Sequence, residues 1–308
     1  TLNEPNRKQA VLPDGCDIIA NPLGSAVGFS LTLNNCRFFC TPGVPKEMKV
    51  MLKQEILPQL IEQLPPQLRA QTIRLQVFGL GESSLQRQIN QEFPDWPKNI
   101  EIGFRAVMPT LEVKLTTRTI QSEQSLQHWL SKLKSLLGDH IIGEDSATLA
   151  GTTIDLLKGK NKTLTTAESC TGGLIASNIT RIAGASAVFE AGFVSYSNQI
   201  KSSLLNVSPS ILAEFGAVSR EVVIEMARGA LFASDADYVI AVSGVAGPDG
   251  GSKEKPVGTV CIAWGSVTKL KAVILSIPTN RVYFQQYVAA IGLDLIRREL
   301  LSCPHIFS

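Results

Sequence analysis

Residues 166–173, Thr166-Ala-Glu-Ser-Cys-Thr-Gly-Gly173, place a hydroxyl, a thiol and a second hydroxyl directly before two glycines. Residues 162–166 (Lys-Thr-Leu-Thr-Thr) read as a strand leading in, and residues 174–182 carry helical periodicity leading out. A strand-to-helix turn of this kind exposes a side chain at the carboxyl edge of a sheet. It also aims unpaired backbone N–H groups at whatever binds there. Such a turn serves either a nucleophile with an oxyanion hole or an anion cradle.

Outward from this turn the pattern is α/β from about residue 145 onward. Helical periodicity at 146–158 precedes the 162–166 strand, and 191–196 (Ala-Gly-Phe-Val-Ser-Tyr) read as the next strand. Residues 219–233 form an amphipathic helix with Ser219 as N-cap and Glu221 and Glu225 early in it. Residues 237–243 have the continuous apolar character of a buried parallel strand. Strands at 258–264 and 270–277 and a helix at 281–301 complete the region.

Ahead of it lies a small α+β unit over residues 70–141. Residues 72–78 alternate with period two, 82–91 read as a helix, 101–104 and 111–116 as strands, and 122–137 as a closing helix. Residues 1–67 mix short apolar runs with turn signals and end in a helical stretch, 47–63. Pro65-Pro66 breaks it and reads as a linker, because proline cannot continue the helical ladder.

At 308 residues the chain is long enough for two or three domains. A hydrophobic content of 44% with 18% charged residues is that of a soluble globular protein. The formal net charge of +2 gives no electrostatic case for nucleic acid. No apolar run approaches the roughly 18 residues a membrane span needs, and residues 1–7 resemble neither a secretory signal nor a transit peptide. The six cysteines are scattered without a Cys-x-x-Cys pair, and the three histidines are far apart in sequence. The expectation is therefore no metal site, no disulfide framework and a cytoplasmic setting.

Ser169 is either a helix N-cap or a nucleophile. A cap alone does not require Gly172 and Gly173, which cost about 1 kcal/mol each in a first helical turn. They suit a ligand that approaches the backbone closely, and Thr171 on the same turn is free to cap. Cys170 competes as nucleophile, since a thiol at a helix N-terminus can be activated, but no histidine lies nearby in sequence to serve it. A serine without histidine needs another base. Lys201, where the 191–196 strand gives way to a helix, is the candidate, with the Tyr196 phenol to relay or orient a proton; taken alone, the segment reads rather as carrying an exposed surface lysine. A second loop, Ser243-Gly-Val-Ala-Gly-Pro-Asp-Gly-Gly-Ser252, brings Ser243, Gly244, Gly247, Gly250 and Gly251 to the end of the buried strand. Open α/β sheets bind ligands at such positions, and accessible backbone N–H groups hold phosphate. The same loop also reads as a plain hairpin turn. Arg281, opening the last helix, is placed to reach a phosphate or to stand in solvent.

Residues 145–302 resemble the C-terminal domain of the CinA (competence/damage-inducible protein A) family. The matching segments are the 166–173 run, Gly184-Ala-Ser186, Gly192-Phe-Val-Ser-Tyr-Ser197 with Lys201, Gly216-Ala-Val-Ser219, Gly244-Val-Ala-Gly-Pro-Asp-Gly-Gly251 and Lys255-Pro-Val-Gly-Thr259. The resemblance implies a three-layer α/β deamidase domain over 145–305. It implies hydrolysis of nicotinamide mononucleotide to nicotinate mononucleotide and ammonia, without a cofactor. It places a Ser–Lys–Tyr group on Ser169, Lys201 and Tyr196, with Ser186, Ser243 and Arg281 near the ligand; threonine is more usual at the position of Ser243.

Asn21-Pro-Leu-Gly-Ser-Ala-Val-Gly-Phe29 and Pro42-Gly-Val-Pro-Lys-Glu-Met48 resemble the closing third of the same family's molybdopterin-binding-like domain. That domain is associated with metal-dependent ADP-ribose pyrophosphatase activity, the rival enzymatic reading, which would need a divalent metal and a complete site. The Gly-rich, Asp-bearing segment that would hold both is not found in residues 1–67. Residues 70–141 match the family's KH-like middle domain but lack the Gly-x-x-Gly loop that clamps nucleotides. The apolar faces of the N-terminal part point to a homo-dimer or higher homo-oligomer, or to partial disorder of that part. The family name offers a third, non-enzymatic reading: a scaffold or regulator linked to DNA uptake or damage.

Overall fold

The computed structural model describes residues 11–63, 65, 70–118 and 123–306. They divide into two compact units, one of residues 1–71 and 117–124, the other of 72–116 and 125–308.

The first unit contains an antiparallel three-stranded sheet, β1 (Asp17–Ile19), β2 (Gly28–Leu33) and β3 (Cys36–Cys40). Asn34 and Asn35 join β2 to β3 in left-handed conformations, φ 50° and 63°, as a tight hairpin turn requires. The stretch predicted as one helix over 47–63 starts earlier and is interrupted. It consists of α1 (Pro45–Met51), a π-helical turn (Leu52–Ile56) and α2 (Leu57–Gln63). Pro45 opens α1, where its missing N–H costs nothing. Ile19, Met51 and Ile56 form the core, with Phe39 and Leu60 packed on it. Of the predicted Pro65-Pro66 linker, Pro66 lies outside the described residues, as do residues 1–7 and Ser122.

The second unit opens with a four-stranded sheet in the order β5-β6-β4-β7: β4 (Gln71–Val77), β5 (Ile100–Val107), β6 (Thr110–Thr117) and β7 (Ile141–Glu144). Helices α3 (Glu82–Glu92) and α4 (Glu123–Leu137) cover it, burying Leu75, Val77, Leu85, Ile89, Val113, Leu115 and Leu126 among others. The strands and helices read at 72–78, 82–91, 101–104, 111–116 and 122–137 are present, with one added strand, β7, and they share one compact unit with the larger sheet.

The larger sheet has five strands in the order β12-β11-β10-β8-β9: β8 (Leu164–Glu168), β9 (Phe189–Val194), β10 (Tyr238–Gly244), β11 (Thr259–Ser266) and β12 (Lys269–Ser276). β8 runs parallel to both β9 and β10, while β11 is antiparallel to β10 and to β12. Period two in β10 divides the layers. Ile240 and Val242 face a core shared with α5 (Leu149–Lys160), α6 (Leu174–Thr180) and α10 (Arg281–Leu301). Val239 and Ala241 face the other core, with Leu205, Leu212 and Met226 from α7 (Asn198–Leu205), α8 (Pro209–Phe215) and α9 (Arg220–Ser234). The domain is a three-layer α/β sandwich.

Buried ions tie the small sheet to the last helix. Asp294 pairs with Arg297 at 2.6 Å and with Arg298 at 2.7 Å, and all three are buried. Both arginines donate onward to the Asp139 carbonyl, and Arg297 also to that of Ile141, ahead of and within β7. A buried charge is tolerated only when paired and hydrogen-bonded, and this cluster meets both conditions. Among the described residues no helix is long and apolar enough to cross a membrane.

Candidate active site

One edge of the five-stranded sheet collects the predicted residues other than Ser186. β8 ends at Glu168 and delivers Ser169; β9 leads into α7 and Lys201; β10 ends with Ser243 and Gly244; β12 leads into α10 and Arg281. Because β8, β9, β10 and β12 share one direction, their carboxyl ends share that edge. The 245–258 loop, joining antiparallel β10 and β11, lies there too.

The turn after β8 is built around Glu168. Its carboxylate is buried and accepts the N–H groups of Gly173 (3.1 Å), Ile175 (3.0 Å) and Ala176 (2.8 Å). The first N–H groups of α6, expected to face a ligand, are thus taken by the protein's own carboxylate. Thr171, expected to cap, contributes its carbonyl to Leu174 N–H, and its buried hydroxyl has no partner among the described residues. Gly172 and Gly173 adopt φ 63° and 94°, which the turn requires and side-chain-bearing residues resist. The Gly172 N–H returns to the Ser169 carbonyl. The N–H groups of Cys170 and Thr171 are left without a protein acceptor among the described residues.

Ser169 is 8% exposed and Lys201 1%. Lys201 Nζ lies 2.9 Å from Ser169 Oγ, 2.9 Å from the Ser195 carbonyl oxygen and 3.3 Å from that of Tyr196. Ser197 accepts the Ile200 N–H and fixes the start of α7, one turn ahead of the lysine. No carboxylate pairs with Lys201 among the described residues. Burial pushes its pKa down, opposed only by a weaker effect of Cys170. The three contacts suit an uncharged amine, with two N–H donors for two carbonyls and one lone pair for the Ser169 hydroxyl proton.

Cys170 sits beside Ser169 but is buried, and burial pushes its thiol up to about 12. A thiol held protonated is a poor nucleophile. Its carbonyl accepts a hydrogen bond from Gln285 on α10 at 2.8 Å.

Tyr196 lies beyond the end of β9 rather than within it, and the residue is 63% exposed. Its phenolic oxygen accepts from Arg281 Nη2 at 3.1 Å, while its carbonyl is the group that touches Lys201. Arg281 Nη1 donates to the Gly247 carbonyl at 2.8 Å, so Arg281 spans Tyr196 and the glycine loop.

Ser243 is buried and donates to the Ala217 carbonyl at 2.7 Å. A Cβ on Gly244 would stand 2.8 Å from the Thr259 carbonyl oxygen, so the strand pair needs glycine there. Gly247 and Gly250 take positive φ, 73° and 93°. Gly251 packs against the Pro256–Val257 backbone. Ser186 is not brought to this edge. It lies in a 3-10 turn (Ala185–Ala187) before β9, at the amino end of a strand parallel to β8, whereas Ser169 follows the carboxyl end of β8. The resemblance that carried Ser186 contains no information on strand direction.

The matching family model is the CinA C-terminal domain, over residues 146–300. A CinA-like protein of Colwellia psychrerythraea is 54% identical over 300 residues, covering 96% of this chain and 69% of its own length. The chain belongs to the CinA family. A Shewanella oneidensis member named nicotinamide-nucleotide amidohydrolase PncC is 39% identical, with 96% of this chain and 70% of that protein aligned. Among solved structures, the competence/damage inducible protein CihA of Agrobacterium tumefaciens is 41% identical, with 48% of this chain and 90% of that one covered and a TM-score of 0.47.

Two residues of this CinA-family site were missed in the sequence. Glu168 carried a readable signal, a carboxylate just before a helix-opening turn. Ser195 carried none: its hydroxyl is fully buried without a partner among the described residues, and its carbonyl holds Lys201. Among the described residues no three His, Cys, Asp or Glu side chains group as a metal-ion set.

Proposed function

We propose that this chain is a nicotinamide-nucleotide amidohydrolase, converting nicotinamide mononucleotide and water to nicotinate mononucleotide and ammonia. The observation that carries the reading is the buried Ser169–Lys201 pair at 2.9 Å, without a carboxylate on the lysine. The relative named PncC, at 39% identity, supports the substrate.

Uncharged Lys201 takes the proton from Ser169 Oγ as that oxygen attacks the carboxamide carbon. The carbonyl oxygen becomes an oxyanion, held by the Cys170 and Thr171 N–H groups; each such donor contributes roughly 3–4 kcal/mol in well-studied hydrolases. Lys201, now ammonium, returns its proton to the departing nitrogen. The C–N bond breaks, and ammonia leaves an ester on Ser169. Water then attacks the ester with Lys201 again accepting the proton. The C–O bond to Ser169 breaks, its hydroxyl is restored, and the carboxylate is released. The Ser195 and Tyr196 carbonyls hold the amine throughout, so little reorganisation accompanies each transfer.

The test is to incubate the protein with nicotinamide mononucleotide, with and without chelator, and follow ammonia and nicotinate mononucleotide. Equal release of both products, unaffected by chelator, is the expected result. No release at any substrate concentration, or release only with added metal, overturns the reading.

A further inference from the structure

The N–H groups of Cys170 and Thr171 belong to adjacent peptide units, both trans. In a trans unit the carbonyl and the N–H lie in one plane and point opposite ways, so whatever grips the carbonyl sets the direction of the N–H. The Ser169–Cys170 unit is gripped from within the turn, where its carbonyl accepts the Gly172 N–H at 3.2 Å. The Cys170–Thr171 unit has no such local support. Among the described residues no backbone N–H donates to the Cys170 carbonyl. The donor that reaches it is Gln285 Nε2, at 2.8 Å and 115 residues further along the chain.

A carbonyl oxygen only accepts, so the Gln285 amide turns its NH2 group, not its oxygen, to Cys170. Gln285 is half-buried on α10, and Phe284 before it and Val288 beyond it are fully buried in the core shared with α6. The side chain therefore starts from a fixed base. Thr171 is 3% exposed, so its N–H is kept from bulk water as well as from protein acceptors among the described residues. Such a donor is unfavourable in the resting protein and gains its full bond only when an acceptor arrives. Donation onto the carbonyl also polarises the whole peptide unit and makes its N–H a stronger donor.

We propose that Gln285 is a positioning residue for the oxyanion site. By donating to the Cys170 carbonyl it aims and polarises the Thr171 N–H towards the charge that develops on the carboxamide oxygen. It acts on the chemistry without touching the reacting atoms. The inference rests on the amidohydrolase reading for the reaction, and on the turn after Ser169 for the geometry.

The test compares wild type with Gln285→Met, which keeps the side-chain length and removes the donor, and with Gln285→Lys, which restores a donor. The first measurement is steady-state ammonia release from nicotinamide mononucleotide. The second is titration with pyridine-3-boronic acid followed by boron NMR, which needs no turnover. Ser169 Oγ bonds to boron as its proton passes to Lys201, and the tetrahedral boron then carries a hydroxyl in the oxyanion position. Removing a whole oxyanion donor lowers kcat by about 100- to 1,000-fold in well-studied hydrolases. Here the N–H stays and loses only its aim, so Gln285→Met should lower kcat about 5- to 50-fold, with KM changed less than about 3-fold. Boronate affinity should weaken about 5-fold or more, and Gln285→Lys should return to within about 3-fold of wild type in both measurements. A part in stability alone would lower Tm and leave kcat, KM and boronate affinity of the folded protein level, and that result overturns the proposal. So would a KM that rises with kcat unchanged, a Gln285→Lys no better than Gln285→Met, or no tetrahedral boron on wild type. If wild type forms the adduct but releases no ammonia, the amidohydrolase reading falls, and the boronate affinities alone decide the role of Gln285.

Discussion

Lys201 Nζ lies 2.9 Å from Ser169 Oγ across 32 residues of chain, with both side chains buried. Burial lowers the lysine pKa from its ordinary 10.5. Below the lowered pKa the amine is charged in the folded and unfolded states alike, and the fold bears the full cost of a buried charge. Between that pKa and 10.5 only the unfolded chain holds the extra proton, so stability rises with pH across this window. Thermal melts should therefore show wild type gaining on Lys201→Met as pH rises through the window that ends at 10.5. In the same window kcat/KM of wild type should rise and level off as the base loses its proton. A stability difference that is flat with pH would contradict an uncharged amine.

Cys170 is next to Ser169, but its thiol is pushed up to about 12 by burial. On the proposed function, alkylating reagents at neutral pH should leave ammonia release intact, and Cys170→Ala should keep at least about half of the wild-type rate, since no thiolate is present to react. Time-dependent inactivation protected by substrate would show that the thiol, not the alcohol, reacts.

Glu168 shapes the turn after Ser169 by accepting three N–H groups on two oxygens. Glu168→Gln replaces one of those oxygens with an NH2 group that faces donors. The expected cost is about 2–3 kcal/mol, seen as a Tm lower by roughly 4–10 °C. Turnover should fall as well, with kcat affected more than KM, because the turn that aims Ser169 relaxes. Unchanged melting and unchanged kcat would show that the cap is dispensable.

Gly229 lies where α9 crosses the end of α7. A Cβ there would stand 2.0 Å from the Leu205 carbonyl oxygen and 2.7 Å from its carbon. Backbone cannot give way as a flexible side chain does, so α7 must shift. Gly229→Ala should destabilise by about 1–3 kcal/mol. It should also lower kcat, because Lys201 rides on α7. Denaturant unfolding together with kcat checks both, and an alanine variant of wild-type stability would mean the contact is loose.

The α/β pattern was legible because the elements are long and strongly periodic: Ser219 caps a helix of Arg220–Ser234, and the last helix spans Arg281–Leu301 as read. β7 and α8 escaped notice because four residues, or seven opened by Pro209, give too short a pattern to register. Chemistry made Lys201 a candidate base, since a serine without histidine needs another, but by itself the segment also read as a surface lysine; the family resemblance paired it with Ser169. Where the Tyr196 phenol points, and that Glu168 turns inward to cap α6, depend on side-chain directions that no local pattern encodes. Ser186 was misplaced for a related reason: sequence order does not say which end of a strand faces the site.

The reading stands or falls on the oxygen of Ser169. Ammonia release from nicotinamide mononucleotide by Ser169→Ala, in protein whose Tm matches wild type, is the most direct check. The expected result is a rate lower by about 1,000-fold or more, since loss of a nucleophile leaves only the catalysis given by binding and oxyanion contacts. Release at the wild-type rate would contradict it outright.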